Sequence, residues 1–462
     1  MSMQPLSGEA AAVIVERMLS EILGGQPSTE VIITGDGALP SVFSVTELAT
    51  ASVAAAGVAV SELLAAADGH DRLVTVDRRL ASMWFASSLR PQGWEPPPPW
   101  DVIAGDYRAA DGWIRLHTNA AAHREAALAV LGAPADRDRV SSAVAGWKAD
   151  DLESAVVAAG GCAATMHSLE QWQSSPPGRS VAAEPLIQWE ETGDARAARP
   201  LRLDPARPLA GVRVLDLTRV LAGPVATRFL ALLGADVLRI DPPWWEEPGV
   251  VPDVMLGKRS ARLDLHEPEN RDRILALLAE ADVLVHGYRP GALDSLDLGH
   301  AVRLNAAPGA IEVSLDAYGW TGPWAGRRGF DSLVQMSAGI ADAGMRGFGR
   351  DNPTPLPVQA LDHAAGYLMA HAAIRALATR HTTGRGSRAL LSLARTAHLL
   401  TSQGTAQPGS PFRAEDERDV APAVEHTSWG PARRLLPPLS IDGVDIRADL
   451  PARSLGSDSA NW

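Results

Sequence analysis

Asp362 is the residue of this chain best placed by its surroundings to do chemistry. It follows the extended run PLPVQAL and stands at the head of the alanine-rich stretch HAAGYLMAHAAIRALATR. An aspartate there has two readings. As a helix N-cap it accepts hydrogen bonds from free backbone N–H groups; as a nucleophile it attacks an acyl carbonyl. Spacing alone favours the cap. The two roles are compatible, since a carboxylate at a helix N-terminus is expected to stay ionised and held in place. The other groups that invite chemistry are cations and a turn. Lys258 and Arg259 lie in a loop before a strand, and Arg289 precedes Pro290-Gly291. Ala222-Gly223-Pro224 sits at a strand-to-helix turn, where exposed N–H groups and the helix dipole favour an anion. Each feature taken singly is also explained as a solvated charge or as residues that shape a turn. Placed around the carboxyl ends of strands, the cations suit phosphate. Twelve histidines are scattered without metal-ligand spacing. Cys162 is the sole cysteine, so no internal disulfide can form and no thiolate metal site is available.

The elements that position these residues are strands and helices in alternation. Val212–Leu217 (VRVLDL) is a continuous apolar strand, suited to a parallel sheet buried on both faces. Gly223-Pro224 starts a helix over Val225–Leu233, Asp236–Ile240 is the next strand, and Val283–Val285 and Ala310–Leu315 continue the series. Arg271–Glu280 is a helix between them. This rhythm predicts an α/β fold: a Rossmann-like, doubly wound large domain. No G-x-G-x-x-G follows the first strand, which argues against a nicotinamide or flavin dinucleotide. The long helix runs from about Asp362 to Arg380 and stops at TTGRGS.

Upstream, 1–95 mixes alanine-rich helix with short β-like pieces at Val31–Thr34 and Leu73–Val76. PQGWEPPPPW reads as extended linker. Residues 96–175 form a smaller α+β domain, opened by a hairpin that turns at Asp111-Gly112. Residues 176–205, rich in Ser, Pro, Arg and Ala, read as a second long linker. The large domain spans 206–400, and 401–462 is a proline-rich, mostly irregular return segment.

Two domains or more are expected for 462 residues. With 46% hydrophobic and 21% charged residues the composition is that of a globular protein. Forty-two Lys and Arg against 55 Asp and Glu give a formal charge of −13. That balance excludes an electrostatic footprint for nucleic acid and disfavours an anionic membrane surface. The N-terminal apolar stretch carries Glu9, Glu16, Arg17 and Glu21, an amphipathic pattern unlike a signal peptide. No run of spanning length is free of charge. A cytoplasmic protein is expected.

The chain also holds an internal repeat. VQALDHAAGYLMAHAAIRALATRH, from Val358, lies over VTELATASVAAAGVAVSELLAAAD, from Val45, without a gap; the same register lays LSLA over RRLA and puts Ala49 at the place of Asp362. A weaker match sets GDARAARP, from Gly193, over GPARRLLP, from Gly430. Alanine cannot be a nucleophile, so on this register only the second copy could be catalytic.

Five ordered motifs carry a family resemblance: LAGVRVLDLTRVLAGPVATRFLALLGADVLRID from Leu209, LGKRSARLDL from Leu256, ADVLVHGYRPGALDSL from Ala281, YGWTGPWAGRRGFDSLVQMSAG from Tyr318 and ALDHAAGYLMAHAAIRALATRHTTGRG from Ala360. Together they resemble the family III CoA-transferases, the group that includes formyl-CoA and carnitine-CoA transferases and α-methylacyl-CoA racemase. Residues 101–172 resemble that family's small domain. The family places its large domain first, so the order here is permuted or partly duplicated.

The resemblance implies that Asp362 is the nucleophile. It would form an acyl-aspartyl anhydride and then an aspartyl-CoA thioester as CoA moves from an acyl-CoA to a carboxylic acid. It implies a CoA path formed by Leu221, Ala222, Gly223, Arg239, Lys258, Arg259, His286, Gly287, Tyr288 and Arg289. No permanently bound cofactor and no metal are implied; coenzyme A enters as substrate, and a homodimer is the family's habit. An oxyanion loop is sought around Gly344–Gly349. Phe330 stands where the racemase branch has a histidine, which argues against two-base racemisation. His363 is a poor substitute, because neighbours on a helix point apart. Leu221 replaces a glutamine of the formyl-CoA transferases and argues against oxalate and formate. Two rivals stay open: lyase, hydratase or hydrolase chemistry begun at Asp362, and a CoA-binding partner without catalysis.

Overall fold

The computed structural model describes residues 8–194 and 203–462. Its centre is a seven-stranded sheet of β1 (Gln188–Asp194), β2 (Arg213–Leu217), β3 (Asp236–Asp241), β4 (Arg259–Arg262), β5 (Val283–His286), β6 (Ile311–Asp316) and β7 (Arg385–Ser392), in the spatial order β4-β3-β2-β5-β6-β7-β1. All pairings are parallel except β7–β1, which is antiparallel. Successive side chains on a strand go to opposite faces. Val214, Val237 and Val285 therefore join one core while Leu215, Leu238 and Leu284 join another. Two apolar layers on one sheet are the physical content of the doubly wound reading. The chain runs outward from β2 through β3 to β4, then crosses back to β5 on the other side of β2. That reversal leaves a crevice at the carboxyl ends of β2 and β5, where such sheets receive ligands.

Three helices matter for the site: α1 (Val45–Asp68), α2 (Ala222–Leu232) and α3 (Ala360–Thr383). Helix α3 is buried between the other two. A Cβ on Gly366 would stand 2.6 Å from the Ala222 carbonyl oxygen and 2.8 Å from Val225, so only glycine lets α3 approach α2. On the other side His371 donates through Nδ1 to the Ala55 carbonyl of α1 at 2.9 Å. Helix α1 is long and apolar enough to cross a membrane, but it is packed inside the molecule.

The repeat is present in a different register. Helices α1 and α3 both have 24 residues, and their glycine C-caps, Gly69 and Gly384, are both left-handed, with φ of 77° and 69°. Val45 to Ala360, Gly69 to Gly384 and the N-caps Asp77 to Ser392 share one offset of 315 residues. The counterpart of Asp362 is thus Glu47, two residues before the expected Ala49. An alanine-rich helix face has few features to fix a register; its caps do. The strands repeat too. Val74–Asp77 lies parallel to Val31–Thr34 and antiparallel to Leu439–Ile441, as β7 lies parallel to β6 and antiparallel to β1. The weaker match at Gly193 falls mostly on 195–202, outside the described residues.

The smaller domain has the expected hairpin, Gly105–Arg108 with Trp113–Leu116, plus a third strand, Ala163–Thr165, and four helices, Ala121–Leu131, Arg137–Val144, Ala149–Ala158 and Leu169–Ser174. It docks on the large domain through His167 N–H to the Met336 carbonyl at 3.1 Å and an ion pair between Arg327 and Glu153.

The stretch read as a linker is ordered structure over its described part. Pro176–Ala183 is a helix capped by Ser175, and Gln188–Asp194 is β1. Its polar alternation belongs to an edge strand with one covered face, which composition alone mistakes for a linker. The return segment is a strap: Leu439–Ile441 pairs with Val74–Asp77, and Asp458 N–H reaches the Ser260 carbonyl at 2.8 Å.

Candidate active site

A cavity of about 370 Å³ opens at the crevice between β2 and β5. Its floor is the turn after β2. Thr218, Arg219, Val220, Ala222 and Gly223 line it, and Gly287, Tyr288 and Arg289 face them from the end of β5. A Cβ at Gly223 would meet the Thr218 side chain at 2.3 Å, so the turn closes tightly only with glycine. Val220 holds a left-handed φ of 66°, a strained value for a β-branched residue. Its N–H is fixed by Glu247 Oε1 at 2.5 Å. Of the two alternatives weighed for this tripeptide, the structure shows the turn-shaping one.

Asp362 lines this cavity from the first turn of α3 and is 8% exposed. It is not the N-cap. That place is taken by Gln359, without a side-chain cap bond, and Asp362 is the third helical residue. Nor is its carboxylate held in the low range expected at a helix N-terminus. Burial first, and then the Asp331 carboxylate, push its pKa well above the usual value. Asp331 Oδ2 accepts from the Asp362 N–H at 2.9 Å, and burial raises Asp331 itself to about 6. A desolvated carboxylate with no cation beside it is a stronger nucleophile than one in water.

Of the residues the resemblance implied for a CoA path, Ala222, Gly223, Gly287, Tyr288 and Arg289 line the cavity. The others do not. Leu221 is the helix N-cap residue and packs at the edge of the core. Arg239 is fully buried and paired with Asp241 at 2.8 Å and Glu247 at 2.7 Å; through Glu247 it supports the Val220 turn. Burial would depress its pKa, but these carboxylates outweigh that and raise it. Lys258 is also fully buried. Its Nζ donates to Thr227 Oγ1 at 2.6 Å and the Pro224 carbonyl at 2.8 Å and lies 3.3 Å from Asp216 Oδ2, with burial pushing its pKa down to about 7. It pins the start of α2 and cannot reach a phosphate. Arg259 opens β4, at the amino end of the sheet, where it pairs with Asp236 at 2.8 Å. The His286 side chain bonds within the fold, Nε2 lying 2.8 Å from Ser314 Oγ. The partners of Lys258, Arg259 and His286 lie far off in sequence, where spacing cannot reveal them.

The cavity gains residues that the sequence did not single out. Arg219 donates to the Tyr288 hydroxyl at 2.8 Å, and its guanidinium lies over the rings of Trp245 and Tyr288 at 4.9 and 5.2 Å. Among the described residues Arg219, Arg289 and Arg328 line the cavity without a carboxylate partner. Three guanidinium groups gathered at one crevice in a chain of charge −13 suit an anionic ligand. Asp316, the last residue of β6, also lines it. From the smaller domain comes His123, whose pKa is lowered by burial and by Arg328. Phe330 is there as expected, stacked on His117 at 3.8 Å with His123 edge-on at 5.9 Å. The cavity therefore has an imidazole although position 330 lacks one. His363 points elsewhere, stacked on Phe85 at 5.1 Å. Gly344 packs against the Thr354 carbonyl, and 344–349 does not line the cavity.

The family model for CoA-transferase family III matches residues 209–431. The matched region is similar to CoA-transferase family III. The chain is 36% identical over 198 residues to a mouse succinyl-CoA:glutarate CoA-transferase, which covers 40% of this chain and 44% of that protein. It is 29% identical over 263 residues to an acyl-CoA transferase of Gibberella moniliformis, 53% of this chain and 46% of the relative. Among solved structures, a CAIB/BAIF family protein from Brucella suis aligns at 28% identity with a TM-score of 0.40, covering 49% of this chain and 65% of that one. The chain thus spans about half the length of the curated relatives it matches. The family III region contains the whole sheet except β1, together with α2 and α3, and hence the turn after β2 and Asp362.

Proposed function

We propose that this protein transfers CoA between an acyl-CoA thioester and a carboxylic acid, with Asp362 as nucleophile. One observation carries the proposal. A buried carboxylate shares a cavity with three arginines that, like it, form no ion pair among the described residues, at the sheet's switch point, where a phosphorylated carrier is expected to bind. Arg219, Arg289 and Arg328 would hold phosphate, and the Tyr288 and Trp245 rings offer faces for the adenine or the pantetheine arm.

The chemistry divides into two halves. An Asp362 oxygen attacks the thioester carbonyl; the C–S bond breaks, CoA leaves as thiolate and an acyl-aspartyl anhydride remains. The thiolate then attacks the aspartyl carbonyl, expelling the first acid and leaving an aspartyl-CoA thioester. The acceptor carboxylate attacks that thioester, and CoA thiolate returns to the acceptor's acyl carbon, restoring the Asp362 carboxylate. No proton is consumed and no redox agent is needed. The anionic form of Asp362 starts the sequence, so its raised pKa predicts activity that climbs with pH from above the ordinary carboxylate range.

The test is an assay with a panel of acyl-CoA donors, succinyl-CoA among them, and a panel of acceptor acids. The proposal expects a new thioester at unchanged total thioester. Net loss of thioester would instead select lyase or hydrolase chemistry at the same site.

A further inference from the structure

Asp316 is a second carboxyl in the same cavity and has no part in the steps above. It ends the interior strand β6 at the sheet's carboxyl edge and is 6% exposed. Its Oδ1 accepts from the Gly319 N–H at 2.8 Å, which closes the turn after the strand. Its Oδ2 is buried and has no hydrogen-bond partner. An unpartnered carboxylate oxygen in such a place is costly, and each such group calls for an explanation. The charged and titratable groups around it are Glu184, which approaches from the end of the Pro176–Ala183 helix, and Asp362, His123, Arg327 and Arg328, which line the same cavity. Arg327 is committed to Glu153 and the Ala163 carbonyl.

We propose that Asp316, in its carboxylic-acid form, is the hydrogen-bond donor that receives the carboxylate of the acceptor acid. The proposal rests on the transferase reading. The second half of that reaction brings an anionic acceptor into a cavity that already holds Asp362. A second ionised carboxyl would repel the acceptor; a protonated one binds it, because an acid and a carboxylate share a short, charge-assisted O–H···O bond. Burial, with Glu184 adding to it, holds the Asp316 pKa up at about 8, so at neutral pH the proton is present to donate. As pH rises through about 8 the donor is lost and acceptor binding is lost with it.

Two variants test this. Asp316→Asn keeps a donor at Oδ2's place and an acceptor for Gly319; Asp316→Leu removes both. Formation of the covalent CoA adduct from acyl-CoA alone, without acceptor, is measured beside kcat/KM for the acceptor as a function of pH. The proposal expects Asp316→Leu to lower acceptor kcat/KM by about tenfold or more, to slow adduct formation as well, because the first acid's carboxylate leaves by the same route, and to lose the alkaline fall near pH 8. It expects Asp316→Asn to stay within about threefold of the parent and to lose the alkaline fall near pH 8. A purely structural role for the Gly319 turn would slow both steps yet leave the fall near pH 8 in place in Asp316→Leu, and would overturn the proposal. So would an alkaline limb that survives in Asp316→Asn. If the parent transfers no CoA to any acid, the transferase reading itself has failed, a result distinct from either.

Discussion

Glu47 and Asp362 occupy equivalent places on α1 and α3, the two 24-residue helices of the repeat, yet their surroundings are opposite. Glu47 is 2% exposed and paired with Arg78 at 2.5 Å, so its charge is spent within the fold. The residue equivalent to Arg78 in the second copy, at the same offset of 315, is Leu393, and Leu393 lines the cavity beside Asp362. Where the first copy supplies a guanidinium, the second supplies an apolar wall. Among the described residues the first copy has two parallel strands, Val31–Thr34 and Val74–Asp77, and no switch point or turn like the one after β2. An acid on a helix becomes a candidate nucleophile when its partner is withheld and it faces a crevice that admits substrate. The carboxyl alone is not enough.

The largest effect expected from that contrast is in activity. Asp362→Ala should lower CoA transfer by about 10³-fold or more, while Glu47→Gln leaves the turnover of folded protein within about twofold; steady-state assays on both would show it. Moving the partner is the sharper variant. Leu393→Arg should give Asp362 the guanidinium that Glu47 has and fill part of the cavity, lowering turnover by about 10²-fold or more with the fold retained by circular dichroism. A Leu393→Arg protein as active as the parent would break the comparison. Stability should answer in the other copy. Arg78→Leu leaves Glu47 buried and unpaired and should cost about 3–5 kcal/mol in chemical denaturation, most of it recovered in Arg78→Leu/Glu47→Leu. The smallest effect belongs to the cavity mouth. Arg219→Ala should raise KM for acyl-CoA several-fold and weaken its salt dependence, with kcat little changed.

Much of this was legible in the sequence because it is local. The alternating burial of Val214 and Leu215 follows from an uninterrupted apolar strand, and the Rossmann-like order follows from strand–helix alternation. The motif around Asp362 pointed to the right end of the right helix, though the cap lies three residues earlier at Gln359. What was not legible depends on partners distant along the chain. Lys258 has the right charge for phosphate, but Asp216, far upstream, consumes it inside the fold. His123 reaches the cavity from another domain. Asp316 left one faint mark, an acid closing an apolar strand in VSLDAYGW, and that strand ends at the carboxyl edge where ligands are received. The repeat's register slipped by two residues because alanines match alanines at any offset; aligning Gly69 with Gly384 would have set it.

The most direct test of the central claim is to trap the intermediate. The protein is mixed with acyl-CoA, quenched in acid and digested with trypsin, and the peptide 351–375, which holds Asp362, is weighed and fragmented. The account predicts a CoA thioester on Asp362 that disappears when an acceptor acid is added and is absent from Asp362→Ala. Turnover of acyl-CoA with that peptide unmodified at every time point, or an adduct placed on another residue, would contradict it.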